Sequence, residues 1–378
     1  MLRPVLCALA LWLPAAVLAA PAPPPLPVPP IVDRHTQPER ALLGFAPPPP
    51  AVTCAEGAPR RLSGNRFSPA PSWMPAGEAA PRQETFLFRI DPSGRPLGIR
   101  AATPRRDDQT EPLEATLAAW RFEASNAGFT GCAYTVEGRV HLPTLAPADL
   151  LRQAVAERTW RGRDEWRLRQ LIGSAGCGPN TAPAPRITHH PDYAAVQKLP
   201  GRPQWSLESF DVSTQGRPHH VVHIADSGAP DLRRRSERAV RASRWESKEA
   251  VGCLMTYYAP PAPLPAPPMP QRTGYERPGD SCEEDVDLSF RTPIPYPKAA
   301  EGRRIEGWAL MRFDVAPWGE VGSIEVLASE PTSAFGLMAS NYLRMAKASN
   351  PSTGRKGCIV PVRFKLPELM TDAGDAED

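Results

Sequence analysis

Six of the seven cysteines fall into three pairs whose members are separated by 78, 76 and 76 residues. Each interval contains a glycine near its middle, at Gly94, Gly216 and Gly319. Features that recur at a nearly constant spacing indicate an internal repeat. The spacing therefore predicts three copies of one module, bounded by Cys54 and Cys132, by Cys177 and Cys253, and by Cys282 and Cys358.

The third copy shows the expected order of elements most clearly. Residues 308–315 alternate, with Ala309, Met311 and Phe313 on one face, which predicts a half-buried antiparallel strand. Glycine takes a positive φ at no steric cost, so Gly319 predicts a tight turn into a second strand. A helix and a last strand complete each module. The predicted strands are 308–315, 324–328 and 358–366, then 206–213, 218–225 and 253–258, then 85–91, 97–102 and 132–136, with helices at 333–348, 230–244 and 112–122.

The N-terminal region predicts export. Residues 4–19 form an apolar run after Arg3 and end in small residues, which is typical of a cleavable signal peptide. The run has 16 residues and contains Pro14, whereas a membrane span needs about 20 apolar residues. Retention of the run as a membrane anchor is the alternative. Cleavage would remove Cys7 and leave six cysteines in an oxidising compartment.

The repeat also selects a disulfide pairing among the many that six cysteines allow. If each module joins its own first and last segments, the bridges are Cys54–Cys132, Cys177–Cys253 and Cys282–Cys358. No Cys-x-x-Cys motif occurs, so the sequence supports neither a thiol-redox site nor a cysteine zinc site.

Prolines cluster at 21–30, 47–50 and 260–270, which predicts semi-rigid linkers. The expected organisation is a signal peptide at 1–19, a linker at 20–53, the first module at 54–140, a helical connector at 141–176, the second module at 177–258, a linker at 259–281, the third module at 282–368 and an acidic tail at 369–378.

One stretch of the third module resembles a known family. Tyr296-Pro297, Gly307, Phe313 and Gly319, with the sequence around them, are similar to the C-terminal domain of TonB-type energy transducers. The resemblance covers the first two strands of the module. The helix of this module lacks the family's Trp-Arg-Tyr-like ending, which the first copy supplies as Trp120-Arg121-Phe122 and the second copy approximates as Ser243-Arg244-Trp245. We therefore interpret the first two modules as diverged copies.

The resemblance implies an α+β fold of three modules, each a small antiparallel three-stranded sheet with a helix packed on one face. It also implies a non-catalytic role, in which an extended peptide of an outer-membrane receptor adds to an exposed sheet edge. Pro361 favours the last strand as that edge, because proline is confined largely to edge strands. An edge blunted against aggregation is the competing interpretation. The candidate binding residues are Ile359, Val360, Pro361, Val362, Arg363 and Phe364.

These features predict a periplasmic protein that binds envelope proteins, including TonB-dependent receptors, by strand addition. An inner-membrane location and contact with the membrane are expected only if the N-terminal run is retained. A scaffold or adaptor without force transduction, or an edge-paired dimer, is the alternative. The sequence contains no hydrolase, metalloprotease or phosphate-binding motif, so no enzymatic activity and no cofactor are expected. The net charge of +3 does not indicate a nucleic-acid partner.

Five of the seven histidines lie in the second module, but no metal site is expected there. On a regular strand, His219 and His223 share a face about 13 Å apart, while His220 points to the other face. Metal ligands must converge within about 2 Å of one ion. The sequence therefore predicts solvated histidines.

Overall fold

The computed structural model of the chain describes residues 40–45, 52–62, 69–76, 82–103, 110–157, 163–174, 176–178, 180–282, 286–290, 292–349 and 353–367. The predicted signal peptide, most of the first linker and the acidic tail lie outside the described residues. Among the helices of these described ranges, none is long and apolar enough to span a membrane. The fold is a mixed α and β arrangement of several small antiparallel sheets with few helices.

The first sheet has five strands where three are predicted. Its elements are β1 (Arg40–Phe45), β2 (Ser72–Pro75), β3 (Arg82–Ile90), β4 (Pro96–Ala101), helix α1 (Thr110–Ala118) and β5 (Phe129–His141), in the sheet order β2-β1-β5-β3-β4. The additional strand β1 comes from the predicted linker and pairs antiparallel with β5, with Leu42 opposite His141. Leu42 and Leu43 are fully buried, so the apolar content of β1 explains why it joins the sheet.

The second sheet follows two connector helices. The elements are α2 (Ala148–Ala156), α3 (Arg163–Leu171), β6 (Pro185–Ile187), β7 (Gln204–Val212), β8 (Pro218–Asp226), α4 (Pro230–Ala242), β9 (Arg244–Trp245) and β10 (Ala250–Ala259). The sheet order is β10-β7-β8. Because side chains alternate along β7, Phe210 packs with α4 on one face and Leu207 packs with α2 on the other. The connector helices therefore cover a face of this sheet.

The third sheet lies in the last part of the chain. The elements are β11 (Leu288–Ser289), α5 (Lys298–Gly302), β12 (Gly307–Val315), β13 (Val321–Glu330), α6 (Ser333–Leu343), β14 (Lys347–Ala348) and β15 (Arg355–Phe364). The sheet order is β13-β12-β15. Helix α6 packs on the face that carries Met311 and Phe313, through Phe335. The helix ends before the predicted residue 348, because residues 347–348 pair with β11.

The proline-rich segment before the third sheet differs from the predicted spacer. Ala266 and Met269 pack against Trp308 and Leu310, on the face of β12 that α6 leaves uncovered. The indole nitrogen of Trp308 donates a 2.8 Å hydrogen bond to the carbonyl of Pro267. Two large apolar side chains on this second face need cover from water, so the segment packs on the sheet instead of separating two domains.

The three predicted turn glycines all have positive φ, at +84° for Gly94, +73° for Gly216 and +89° for Gly319. Each glycine carbonyl also accepts a 2.9 Å hydrogen bond from the chain that follows the next helix. A Cβ at Gly94 would lie 2.0 Å from the Phe122 carbonyl oxygen. All three turns therefore favour glycine for φ, and those at Gly94 and Gly216 also require it for close backbone approach. The three donors are the backbone N–H groups of Phe122, Trp245 and Ala348.

One hydrophobic core continues from the first sheet into the third, and a buried carboxylate lies at the contact. Glu114 of α1 is 2% exposed. It accepts hydrogen bonds from the Ser333 hydroxyl at 2.6 Å and from the Ala334 backbone N–H at 3.2 Å. The N-cap residue of α6, Thr332, makes no side-chain capping bond. Glu114 therefore caps α6 from another part of the chain, and burial raises its pKa to about 7.

We expect this carboxylate to make the protein less stable above pH 7. Because the pKa is near 4.5 in the unfolded chain and about 7 in the folded protein, the contribution is full below pH 4.5 and is lost as pH rises through 7. The loss amounts to about 3 kcal/mol. Urea unfolding between pH 4.5 and 8 should show this slope in the wild type and a smaller slope in Glu114→Gln. Equal slopes in the two proteins would contradict the assignment.

Candidate functional site

Strand β15 forms one edge of the third sheet. It pairs with β12 over seven consecutive residues, from Phe364 opposite Gly307 to Cys358 opposite Phe313. Within the described part of the chain, no strand pairs with the other side of β15. The predicted binding residues 359–364 therefore lie on an edge strand, where unpaired backbone groups can accept a further strand.

The two edges of this sheet differ in regularity. Pairing between β12 and β13 is interrupted by two register shifts, and Ser323 on β13 has a φ of +50°. Bulges of this kind twist an edge and hinder further pairing. The end of β13 also meets the first sheet, because the N–H of Ile99 donates to the Pro331 carbonyl at 3.0 Å. The pairing of β12 with β15 also has one register shift, between Phe313 and Val315, and Gly357 of β15 has a φ of +71°. Residues 358–364 of β15 pair without interruption, so this stretch is the better template for an added strand.

Local hydrogen bonds occupy both ends of the β15 edge. At the start, Ser281 and Lys356 exchange two bonds, of 3.0 Å from the Ser281 N–H and of 2.9 Å to the Ser281 hydroxyl. At the other end, the Tyr296 hydroxyl donates to the Phe364 carbonyl at 3.3 Å. Residues 357–363 lie between these bonds and include all of the predicted binding residues except Phe364.

The side chains of β15 make one face of this strand apolar and give the edge a positive charge. Val360 and Val362 are half-buried against the core beneath α6. Pro361 and Arg363 are exposed. Residues 355–365 carry no acidic side chain, and their basic residues are Arg355, Lys356, Arg363 and Lys365. A partner with acidic side chains would therefore be complementary to this edge.

The residues that carried the family resemblance hold the third sheet together. The ring of Tyr296 meets those of Phe335 and Phe364 edge to face, with centroids 6.2 and 5.7 Å apart. Its hydroxyl shares one proton between the Ile305 carbonyl at 2.9 Å and the Phe364 carbonyl at 3.3 Å. Burial raises the pKa of Tyr296. A Cβ at Gly307 would lie 2.6 Å from the Phe335 ring. The remaining motif residues lie in the core, before α5 and at the turn, and are Phe313, Pro297 and Gly319.

The last strands of the other two sheets are covered on the corresponding side. In the first sheet, β1 pairs with β5. In the second sheet, the Arg169 guanidinium donates to the Leu254 carbonyl of β10 at 3.1 Å. The Gly173 carbonyl oxygen lies 2.6 Å from the position that a Cβ on Gly252 would occupy, so the backbone after α3 is close to β10. These contacts distinguish β5 and β10 from β15.

Three disulfides join the last strand of each sheet to an earlier segment, which lies between β1 and β2 in the first sheet and precedes the sheet in the other two. The pairs are Cys54–Cys132, Cys177–Cys253 and Cys282–Cys358.

Sequence reasoning missed a polar cluster beside the start of β15. The guanidinium of Arg312 forms two hydrogen bonds with the carboxylate of Asp280 and lowers the Asp280 pKa to about 2. Arg277 similarly pairs with Glu325, at 2.7 and 2.9 Å. These pairs hold the segment before Cys282 on the sheet. The partners are more than 30 residues apart in sequence, and no local pattern indicates such a contact.

The prediction that the side chains of His219 and His220 point to opposite faces of the strand is wrong. Their rings stack with centroids 4.6 Å apart, and the Nδ1 atom of His220 lies 2.9 Å from an Asp211 carboxylate oxygen. The pairing of β7 with β8 shifts register between Ser209 and Asp211, and His220 has a φ of +47°. A bulge therefore breaks the strand alternation on which the expectation rested.

Comparison with known proteins supports an assignment for the third sheet. Residues 292–366 match the family described as Gram-negative bacterial TonB protein C-terminal. Protein TonB of Escherichia coli is 32% identical over 76 residues, which cover 20% of this chain and 31% of that protein. Protein TonB of Salmonella typhimurium is 28% identical over 117 residues, which cover 28% of this chain and 48% of that protein.

A solved structure of a TonB C-terminal domain also matches part of this chain. The solution NMR structure of the Pseudomonas aeruginosa TonB CTD is 21% identical, covers 24% of this chain and 96% of that chain, and has a TM-score of 0.20. The chain spans about a third to a half of the length of the two TonB proteins above. The match contains Tyr296, Gly307, Phe313 and Gly319, together with the edge strand β15. Residues 292–366 of this chain are thus similar to the C-terminal domain of TonB proteins.

Proposed function

We propose that the chain is a non-catalytic periplasmic protein that binds partner proteins by adding an extended segment of the partner to β15. The partners are TonB-dependent receptors of the outer membrane, and the binding serves energy transduction. The observation that carries this proposal is the regular edge of β15 within a TonB C-terminal domain. In strand addition, backbone hydrogen bonds supply affinity, and alternating side chains supply selectivity.

The first sheet supports the proposal with an example inside the same chain. There β1 adds antiparallel to β5 and buries Leu42 and Leu43. We propose that the first two sheets are diverged copies of the third, so that β5 and β15 are equivalent strands. On this proposal, one copy holds a segment of its own chain at the edge where the third copy accepts a partner.

The basic side chains along β15 refine the expected partner. An extended segment with acidic residues would pair with Arg363 and Lys365, which are both exposed. Such rim charges mainly affect the association rate and the choice of partner. Binding is therefore expected to weaken as the salt concentration rises.

Site-specific photocrosslinking in the host bacterium tests the proposal. A photoreactive amino acid in place of Arg363 lies on the β15 edge, and the matched control replaces Val326 on β13, at the opposite edge of the same sheet. Facing residues on neighbouring strands are about 5 Å apart, which is within reach of the crosslinker. We expect position 363 to capture an outer-membrane receptor, and we expect the capture to disappear when the extended segment of that receptor is deleted.

The identity of the captured protein distinguishes receptor binding from the alternative functions. Capture of a second copy of the chain would indicate an edge-paired dimer. Capture of other envelope proteins without receptors would favour a scaffold role. Equal capture from positions 363 and 326 would contradict strand addition at β15. The mass of the captured chain also reports whether residues 1–19 are removed, which distinguishes a released protein from an anchored transducer.

A further inference from the structure

The cluster around His220 brings three potential metal ligands together on the second sheet. One ligand atom from each of Asp211, His219 and His220 lies within 4.8 Å of the others. A metal bound by nitrogen and oxygen has bond lengths of about 2 Å, so its ligands are about 3.3 Å apart. His220 is 77% exposed, and small side-chain rotations can therefore bring the three atoms to that separation.

The backbone conformation at this cluster recurs in all three sheets, but only the second sheet has histidines there. The residue four positions after each turn glycine has a positive φ: +62° at Gly98, +47° at His220 and +50° at Ser323. Glycine meets this requirement without strain, whereas a larger side chain adopts it less readily. The second sheet thus places an imidazole at a position of positive φ, where the first sheet has glycine. Residues in such conformations concentrate at functional sites.

The carboxylate of the cluster is held in place independently of the histidines. Asp211 accepts a 2.9 Å hydrogen bond from the Gly252 backbone N–H, next to the disulfide residue Cys253. Asp314 of the third sheet makes the equivalent 2.8 Å bond with Gly357, next to Cys358. This carboxylate therefore belongs to the framework of the sheet, and a neighbouring N–H orients it as outer-shell groups orient metal ligands.

We propose that Asp211, His219 and His220 form a binding site for a divalent transition metal such as Zn²⁺ or Cu²⁺. Imidazole nitrogens favour these ions over Mg²⁺ and Ca²⁺, and a carboxylate completes a three-ligand set. Three protein ligands leave one position of a tetrahedral ion to water. The site lies on the second sheet and uses none of the residues of the β15 edge. Its test is therefore independent of the function proposed for that edge.

Calorimetric titration of Zn²⁺ into the full exported chain tests this site. The protein is kept oxidised, so that the six disulfide cysteines cannot bind the metal. The variants His219→Gln and His220→Asn each remove one imidazole, and asparagine tolerates the positive φ of position 220. His189→Gln is the matched control, since His189 is an exposed histidine of the same region outside the cluster.

We expect one Zn²⁺ per wild-type chain. Loss of either cluster imidazole should weaken binding by at least about tenfold, and the control should bind as the wild type does. Circular dichroism confirms that each variant is folded. The proposal is overturned if the wild type binds no Zn²⁺, if the cluster variants bind as tightly as the wild type, or if His189→Gln loses as much affinity as they do.

Discussion

Replacing Arg303 by methionine is expected to lower the free energy of unfolding by about 3–5 kcal/mol. Arg303 follows α5, is 7% exposed and donates a 2.8 Å hydrogen bond to the Thr116 hydroxyl of α1. Burial lowers its pKa to about 10, and the nearby carboxylate of Glu157 opposes that shift. Removal of the guanidinium would leave this half-buried carboxylate without the nearby cation that offsets its charge.

The position of Glu157 explains why the effect should be large. Glu157 directly follows α2 and accepts hydrogen bonds from Gln153 at 2.8 Å and from the Trp205 indole at 3.2 Å. Burial raises its pKa. The first sheet, the connector with the second sheet, and the third sheet thus meet at two opposite charges, of which Arg303 is buried and Glu157 is half-buried. Loss of the pair should therefore destabilise the whole chain.

Urea unfolding of a small set of variants measures this effect. Arg139→Met, at an exposed position of β5, should change stability by less than about 0.5 kcal/mol. The double variant Arg303→Met/Glu157→Gln should recover much of the loss, because it removes both charges. Lower pH should also reduce the loss in Arg303→Met, since the unpaired carboxyl group would become neutral. A double variant as unstable as the single one would show that packing, and not charge, dominates.

Replacing Cys282 and Cys358 together by alanine is expected to cost about 4 kcal/mol. The bridge joins residues 76 positions apart and ties the segment before the third sheet to β15. A long cross-linked loop restricts the unfolded chain, so its loss stabilises the unfolded state. The same bridge holds Ser281 next to Lys356 at the start of the edge.

The other two bridges supply matched controls for that prediction. Cys54–Cys132 and Cys177–Cys253 span 78 and 76 residues. If loop entropy dominates, the three double-alanine variants should lose nearly the same stability, because the cost depends only weakly on loop length. Chemical denaturation under oxidising conditions measures each loss. Widely different losses would show that local packing around each bridge decides its effect.

Much of the local structure could be predicted from the sequence, because it depends on neighbouring residues. The glycines at the three turns, the alternation along β12 and the proline that begins α4 each act over a few positions. The position of β15 at a sheet edge was also predictable, since Pro361 is poorly suited to a central strand. The limits of helices were less predictable, as the early end of α6 shows.

The features that the sequence did not predict depend on contacts between residues that are far apart in the chain. Three such contacts are the addition of β1 to β5, the packing of the proline-rich segment on Trp308, and the capping of α6 by Glu114. Each covers apolar surface or bonds backbone groups that come together only in the folded protein. The stacking of His219 on His220 needed a backbone conformation that strand periodicity does not contain. The sequence by itself determined the order of strand, turn, strand, helix and strand that the three sheets share. The tertiary structure alone decided which edges are covered, because apolar burial and hydrogen bonding act on whichever groups the fold brings together.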